Sequence, residues 1–183
     1  MPHRYDVISS TARFAGRVIS VRTDVVRMPG GDTAERDVVE HPGAVGVVAL
    51  DDDRRVLLIR QYRHPVGRAL WELPAGLRDV AGEPDLETAR RELLEEAGLR
   101  AGRWEPLVAA LASPGMTDEQ YVVFLARDLT EVPAAERPEL EHEELDLETA
   151  WVPLADACDR VLAGDIENAL CIIGVLAAAR RLS

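Results

Sequence analysis

The stretch GLRDVAGEPDLETARRELLEEAGL, Gly76 to Leu99, decides the fold of this 183-residue chain. From Glu83 to Ala97 it reads as a helix. Pro84 falls in the first turn, where a missing N–H costs nothing, and Gly98 supplies the stop. At about 100° per residue, Leu86, Ala89, Leu93 and Ala97 form one stripe that packs on a sheet. Glu92 and Glu96, four residues apart, lie side by side on the flank of that stripe, and Glu95 sits one turn beyond Glu92. Carboxylates crowded into the C-terminal half of a helix repel one another and oppose the dipole, which favours cations there. Two readings account for them. One is a solvated acidic face partnered by Arg90 and Arg91; the other is a divalent cation with hard oxygen ligands, Mg²⁺ or Mn²⁺.

Outward from this helix the pattern is mostly strand. Phe14 to Val39 has a period of two, with Ile19, Val21, Thr23 and Val25 on one face and the turn Pro29-Gly30-Gly31-Asp32 before Val38-Val39, an antiparallel hairpin or meander. Gly43–Leu50 and Val56–Ile59 flank the polar turn 51–54, and the first is apolar on both faces, hence central. Trp71–Pro74 is a short strand, Trp104–Leu111 and Tyr121–Ala126 are two more around a loop, and Ala150–Val152 is the last. Helices at Leu154–Ala163 and Ile166–Arg181 close the chain. Strands with interspersed helices but no regular alternation indicate an α/β or α+β domain with a mixed sheet.

Composition limits the function classes. The chain carries 33 acidic and 21 basic residues, a net charge of -12, and every basic residue is Arg. Such a balance argues against nucleic acid and against an anionic membrane surface, both of which need a basic face. It admits a small polyanionic substrate reached through metal cations and locally placed Arg. The N-terminus reads as no secretory signal, and the longest apolar run, Ala169 to Ala179, is too short to span a bilayer. Cys158 and Cys171 read as buried thiols in a reducing cytoplasm. The charge is localised: Glu83–Glu96 holds six acids and two Arg, and Asp128–Glu148 holds nine acids and one Arg, net -4 and -8.

The box residues carry a resemblance. The segment resembles the Nudix box, G-x5-E-x7-R-E-U-x-E-E-x-G-U with U aliphatic. From Glu83 the fit is complete through Arg91-Glu92-Leu93, Glu95-Glu96 and Gly98-Leu99. The one departure is six residues rather than five between Gly76 and Glu83, which lengthens a turn before the helix. Gln61-Tyr62-Arg63, Trp71-Glu72-Leu73-Pro74-Ala75-Gly76, Ser113-Pro114-Gly115 and Glu35 to Gly43 resemble the ADP-ribose pyrophosphatase branch, particularly its actinobacterial members.

The resemblance implies a Nudix fold: a mixed β-sheet sandwiched between helices, residues 43–183, behind an N-terminal antiparallel β element, residues 1–42, that dimerises. It implies Mg²⁺-dependent hydrolysis of ADP-ribose to AMP and ribose 5-phosphate. Metal ligands would be Glu92, Glu96, Glu95 and the Ala75 carbonyl, with Arg91 holding the carboxylates and Glu83 anchoring the helix start. Arg63, Arg36, Glu72, Leu77, Ser113 and Glu119 would belong to the substrate pocket, some reaching it from a second subunit of a homodimer. The general base is expected in the acidic loop, Glu143 first and Glu144 next, with His142 a lesser choice. Another nucleoside diphosphate derivative is the near alternative. A regulator that binds ADP-ribose without cleaving it is the distant one, disfavoured by the intact box carboxylates.

Overall fold

The computed structural model describes residues 4–138 and 147–183. The chain forms two compact units, one comprising the residues up to Gly43 together with Leu111–Gln120, the other Ala44–Ala110 with Tyr121–Ser183.

The first unit is a three-stranded antiparallel sheet in the order β1 (Val7–Ala15), β2 (Ser20–Arg27), β3 (Thr33–Glu40). The hairpin between β2 and β3 turns at Gly30 and Gly31, whose φ values of 100° and 98° suit glycine. The expected alternation on β2 is only half realised. Thr23 is buried, but so is Asp24 on the opposite face: β2 is paired along both edges, and side chains of the same sheet close over each residue. Polar pairs line these faces, with Thr23 Oγ1 donating to Asp37 Oδ1 at 2.7 Å and Arg22 Nε to Asp24 Oδ2 at 3.1 Å. The sequence pattern gives strand β1 no bounds of its own, reaching it only at Phe14 and within the β element of residues 1–42. All nine of its residues are exposed and two register shifts interrupt its pairing with β2, so no clean period reports it. The 111–120 segment ties back to β3 through Val39 N–H to Met116 O at 2.8 Å.

Among the described residues the second unit holds two sheets and three α-helices. Strand β4 (Ala44–Ala49) is central in the order β7-β4-β9-β8, parallel to β9 (Gln120–Glu131) and antiparallel to β7 (Ala75–Leu77), with β8 (Leu99–Leu111) at the edge. The second sheet is β10-β5-β6, from β5 (Arg55–Arg63), β6 (Arg68–Glu72) and β10 (Glu148–Pro153). Helix α1 (Asp85–Ala97) contributes Ala89 and Leu93 to a core with Val45, Val47 and Phe124. Helices α2 (Leu154–Ala163) and α3 (Ala169–Arg181) build a second core with Val48, Val123 and Leu125, so helices cover both faces of the mixed sheet.

Strands β5, β8 and β9 run longer than expected, and three further boundaries differ for a local reason. The strand expected at Trp71–Pro74 is the end of β6, after which the chain crosses at Pro74 into β7 of the other sheet, the Pro74 carbonyl accepting from Val47 N–H at 2.9 Å. Helix α1 starts at Asp85, since Pro84 keeps an extended ψ of 144° at the cap position. Helix α3 starts at Ala169, because Asn168 Oδ1 caps the Cys171 N–H at 2.9 Å. Both cysteines are free thiols, but only Cys171 is buried as expected; Cys158 is half-buried. No helix among the described residues is long and apolar enough to cross a membrane.

Candidate active site

Helix α1 sets the site through its two ends. Asp85 and Glu87 occupy the first turn, where acids suit the dipole. The last turn carries Glu95 and Glu96 and no basic residue. The helix stops at Gly98, whose φ of 62° is left-handed and whose N–H returns to Leu93 and Leu94 carbonyls. Arg137 lies directly over this end. A Cβ on Gly98 would sit 2.5 Å from Arg137 Cζ, and Arg137 Nε donates to Val132 O at 2.7 Å. The cation missing from the helix is therefore supplied by a distant segment. The one Arg of the acidic 128–148 run was the sequence signal for it.

The expected metal-side carboxylates come together against β7. Glu92 and Glu96 are buried, only 8 % and 7 % exposed. Glu96 Oε2 accepts the Ala75 N–H at 2.8 Å. Beside it, Glu92 rests on Gly76, where an added Cβ would lie 1.9 Å from Glu92 Oε1. The first glycine of the box is thus the floor under a carboxylate. Arg91 gathers the rest: Nη1 donates to Glu92 Oε1 at 2.7 Å and to Glu95 Oε2 at 3.1 Å, and Nη2 to Glu83 Oε2 at 3.3 Å. Thr88, which sequence reasoning missed, adds its hydroxyl to Glu83 Oε2 at 2.9 Å. Partial burial works against the Arg91 charge, but the hydrogen bond to Glu83 and the charges of Glu92, Glu95 and Glu83 outweigh it and raise its pKa. The hydrogen bonds from Arg91 and then Thr88 lower that of Glu83.

Among the described residues no three His, Cys, Asp or Glu side chains form a ready-made ion cluster. The donor chemistry still fits a hard divalent cation: two buried carboxylates and a third beside them, all oxygen ligands on one flank of the helix, set against the backbone of β7.

A second pair lies on β5 and β6. Arg63 Nε and Nη2 donate to the two oxygens of Glu72 at 2.9 and 2.6 Å, a forked pair with Glu72 only 2 % exposed. Leu77 is half-buried on β7 opposite Ala44. The remaining expected pocket residues belong to the first unit. Arg36 is exposed on β3 and donates to its neighbour's carbonyl, Glu35 O, at 2.7 Å. Ser113 opens a turn whose carbonyl accepts from Met116 and Thr117 N–H groups, both at 3.0 Å. Glu119 lies 3.5 Å from His41 Nδ1. That nitrogen already accepts the Gly43 N–H at 3.0 Å, so it is a lone-pair acceptor facing Glu119 rather than a proton donor. No hydrogen bond or ion pair joins Arg36 to Ser113 or Glu119 among the described residues. Glu143, Glu144 and His142 lie outside the described residues.

Comparison with known proteins identifies the family. The model of the NUDIX domain matches residues 40–170. The chain is similar to the ADP-ribose pyrophosphatase of Mycobacterium tuberculosis, 51 % identical over 175 residues that cover 96 % of this chain and 83 % of the relative. It is 37 % identical to the ADP-ribose pyrophosphatase of Bacillus subtilis over 156 residues, 85 % and 82 % of the two chains. A solved structure described as an ADP compounds hydrolase superposes with a TM-score of 0.83 at 23 % identity, covering 98 % of this chain and 95 % of that one, and so shares its fold. With the matched region spanning the carboxylate helix and the core that seats it, this chain belongs to the Nudix family of hydrolases.

Proposed function

We propose that the protein hydrolyses the pyrophosphate bond of ADP-ribose to AMP and ribose 5-phosphate, using Mg²⁺ with Mn²⁺ as a substitute. The observation that carries this reading is the buried pair Glu92 and Glu96 seated against β7, in a chain 51 % identical to an ADP-ribose pyrophosphatase. Glu92, Glu96, Glu95 and the Ala75 carbonyl would hold the cation, which when bound neutralises pyrophosphate oxygens and makes water more acidic. Arg91 keeps Glu92, Glu95 and Glu83 from splaying. Arg63, held in plane by Glu72, offers its guanidinium to the substrate phosphates, where charge grows in the transition state. Glu143, with Glu144 next, takes a proton from water as its oxygen bonds to phosphorus and the bridging P–O bond breaks.

Arg36, Ser113 and Glu119 are assigned to the substrate pocket of a homodimer whose residues 1–42 pack across the two-fold. Support comes from the first unit, where Val7, Ile8, Phe14, Val18 and Ile19 are all exposed, a run of apolar surface that a second copy would cover. A cytoplasmic location accords with the two free thiols.

Purified protein with Mg²⁺ is expected to release AMP from ADP-ribose, followed by chromatography. Glu96→Gln should abolish turnover while the unfolding transition stays cooperative. Absence of turnover with ADP-ribose and with other nucleoside diphosphate sugars overturns the enzymatic reading, and turnover of another member alone corrects the substrate. Sedimentation of Phe14→Asp tests the dimer; an unchanged dimer removes the 1–42 assignment.

A further inference from the structure

A second cleft lies on the other flank of the box helix. Between α1 and the start of β8 runs a groove of about 570 Å³, within the range that accommodates small ligands. Its helical wall is Arg90, Arg91 and Leu94, which with Glu87 lie about 160° to 260° around α1 from Glu92. The groove is therefore separate from the carboxylate flank that meets β7. Its other wall is Arg100 and Trp104 of β8.

Three features of these walls point to a ligand with a flat ring and an anionic group. The Trp104 indole is fixed, its Nε1–H donating to Ala101 O at 3.1 Å and its ring meeting Phe124 edge-on at 6.5 Å, so it presents a rigid apolar surface beside Leu94. Arg100 is exposed and has no hydrogen bond or ion pair among the described residues. Among the described residues Arg90 is held only by an exposed pair with Glu87, Nη1 to Oε1 at 2.7 Å, which a stronger anion can displace at little cost. With Glu83 completing the lining, three Arg face two Glu, a local +1 in a chain of net charge -12.

We propose that this groove binds a nucleoside monophosphate, its base against Trp104 and Leu94 and its phosphate on Arg100 and Arg90. Displacing Glu87 from Arg90 leaves a carboxylate able to accept from an exocyclic amine of the base. The site also communicates with the box. Arg91 lines the groove, its buried Nε–H has no acceptor among the described residues, and its two Nη groups hold Glu83, Glu92 and Glu95. A ligand that draws on Arg91 alters the carboxylate set, and by linkage a cation bound there alters the ligand's affinity by the same factor.

The inference goes beyond the hydrolase reading and is tested without turnover. In metal-free protein with chelator present, the three Trp indole N–H resonances are followed by ¹⁵N-correlated NMR during titration with AMP, Trp104→Phe assigning the Trp104 signal. The Trp104 resonance should move saturably while those of Trp71 and Trp151 stay. Arg100→Glu should weaken the effect at least about tenfold with the other two resonances unchanged, which shows the fold is intact. Adenosine, lacking the phosphate, should bind at least about tenfold more weakly than AMP. A stationary Trp104 signal up to about 10 mM AMP overturns the proposal. So do equal shifts in wild type and Arg100→Glu, or equal affinity for adenosine. Failure here leaves AMP release from ADP-ribose untouched, and failure of that reaction leaves this titration interpretable.

Discussion

Replacing Gly76 by Ala isolates the role of the first box glycine. The new Cβ would lie 1.9 Å from Glu92 Oε1 and 2.1 Å from its Cδ. Comfortable non-bonded contact needs about 3.5 Å, so the carboxylate must retreat by about 1.6 Å or β7 must move. β7 cannot move freely, because Ala75 N–H is bonded to Glu96 and the strand pairs with β4 across Ala44–Gly46. The displacement therefore falls on Glu92, and dragging it costs about 1–3 kcal/mol of overpacking strain. For a chain of this size that lowers Tm by about 2–12 °C. Cation sites tolerate only about 0.2 Å of ligand movement, so cation affinity should drop about 10- to 100-fold, more than the stability loss alone explains. Differential scanning fluorimetry and Mn²⁺ binding by electron paramagnetic resonance read the two effects. Glu92→Asp in the Gly76→Ala background shortens the clashing side chain and should restore Tm while leaving cation binding weak. Gly115→Ala, where an added Cβ meets nothing within 4 Å, should leave Tm unchanged. Wild-type cation binding in Gly76→Ala, or no Tm recovery in the double variant, refutes the argument.

Arg63→Ala should destabilise the protein by about 2–3 kcal/mol, below the usual cost of stranding a buried charge because Arg63 is itself 41 % exposed. Thermal denaturation checks it, and an unchanged Tm would remove Arg63 as the partner that keeps Glu72 buried. Burial, reinforced by the charge of Glu72, pushes the Cys171 thiol up to about 12. The unfolded thiol titrates near about 8.5, so the stabilisation is complete below that pH and is lost as pH rises toward 12, by about 1.4 kcal/mol per unit. Urea titrations from pH 8 to about 10.5 should show this alkaline decline in wild type and a shallower one in Cys171→Ala; equal slopes would contradict it.

How much of this was legible depends on how local each determinant is. The stripe Leu86, Ala89, Leu93 and Ala97 was readable because helical period is a property of neighbours, and α1 buries that stripe. Glu92 and Glu96 were readable as adjacent for the same reason. Their burial was not, since it is made by β7, sixteen and more residues upstream. Pro74 was visible as a residue but not as the crossing between two sheets, a property of strand pairing at a distance. Arg137 escaped notice because a cation over the Gly98 helix end can come from any later segment. The bounds of strand β1 were not legible for a different reason: fully exposed, with its register twice broken, the strand has no buried face to impose alternation.

The parallel pairing of β4 with β9 sets an order on the birth of the site. Ala44 meets Tyr121 and Ala49 meets Ala126, each a separation of 77 residues. Long-range pairing closes late, and chains emerge from the ribosome N-terminus first. Helix α1 leaves the ribosome before β9, yet the core that seats it includes Phe124 and Ala126 of that strand. During synthesis the box glutamates are thus made early and assembled late. A ribosome-stalled chain ending before Tyr121 would carry every box residue and lack the sheet that turns them into a site.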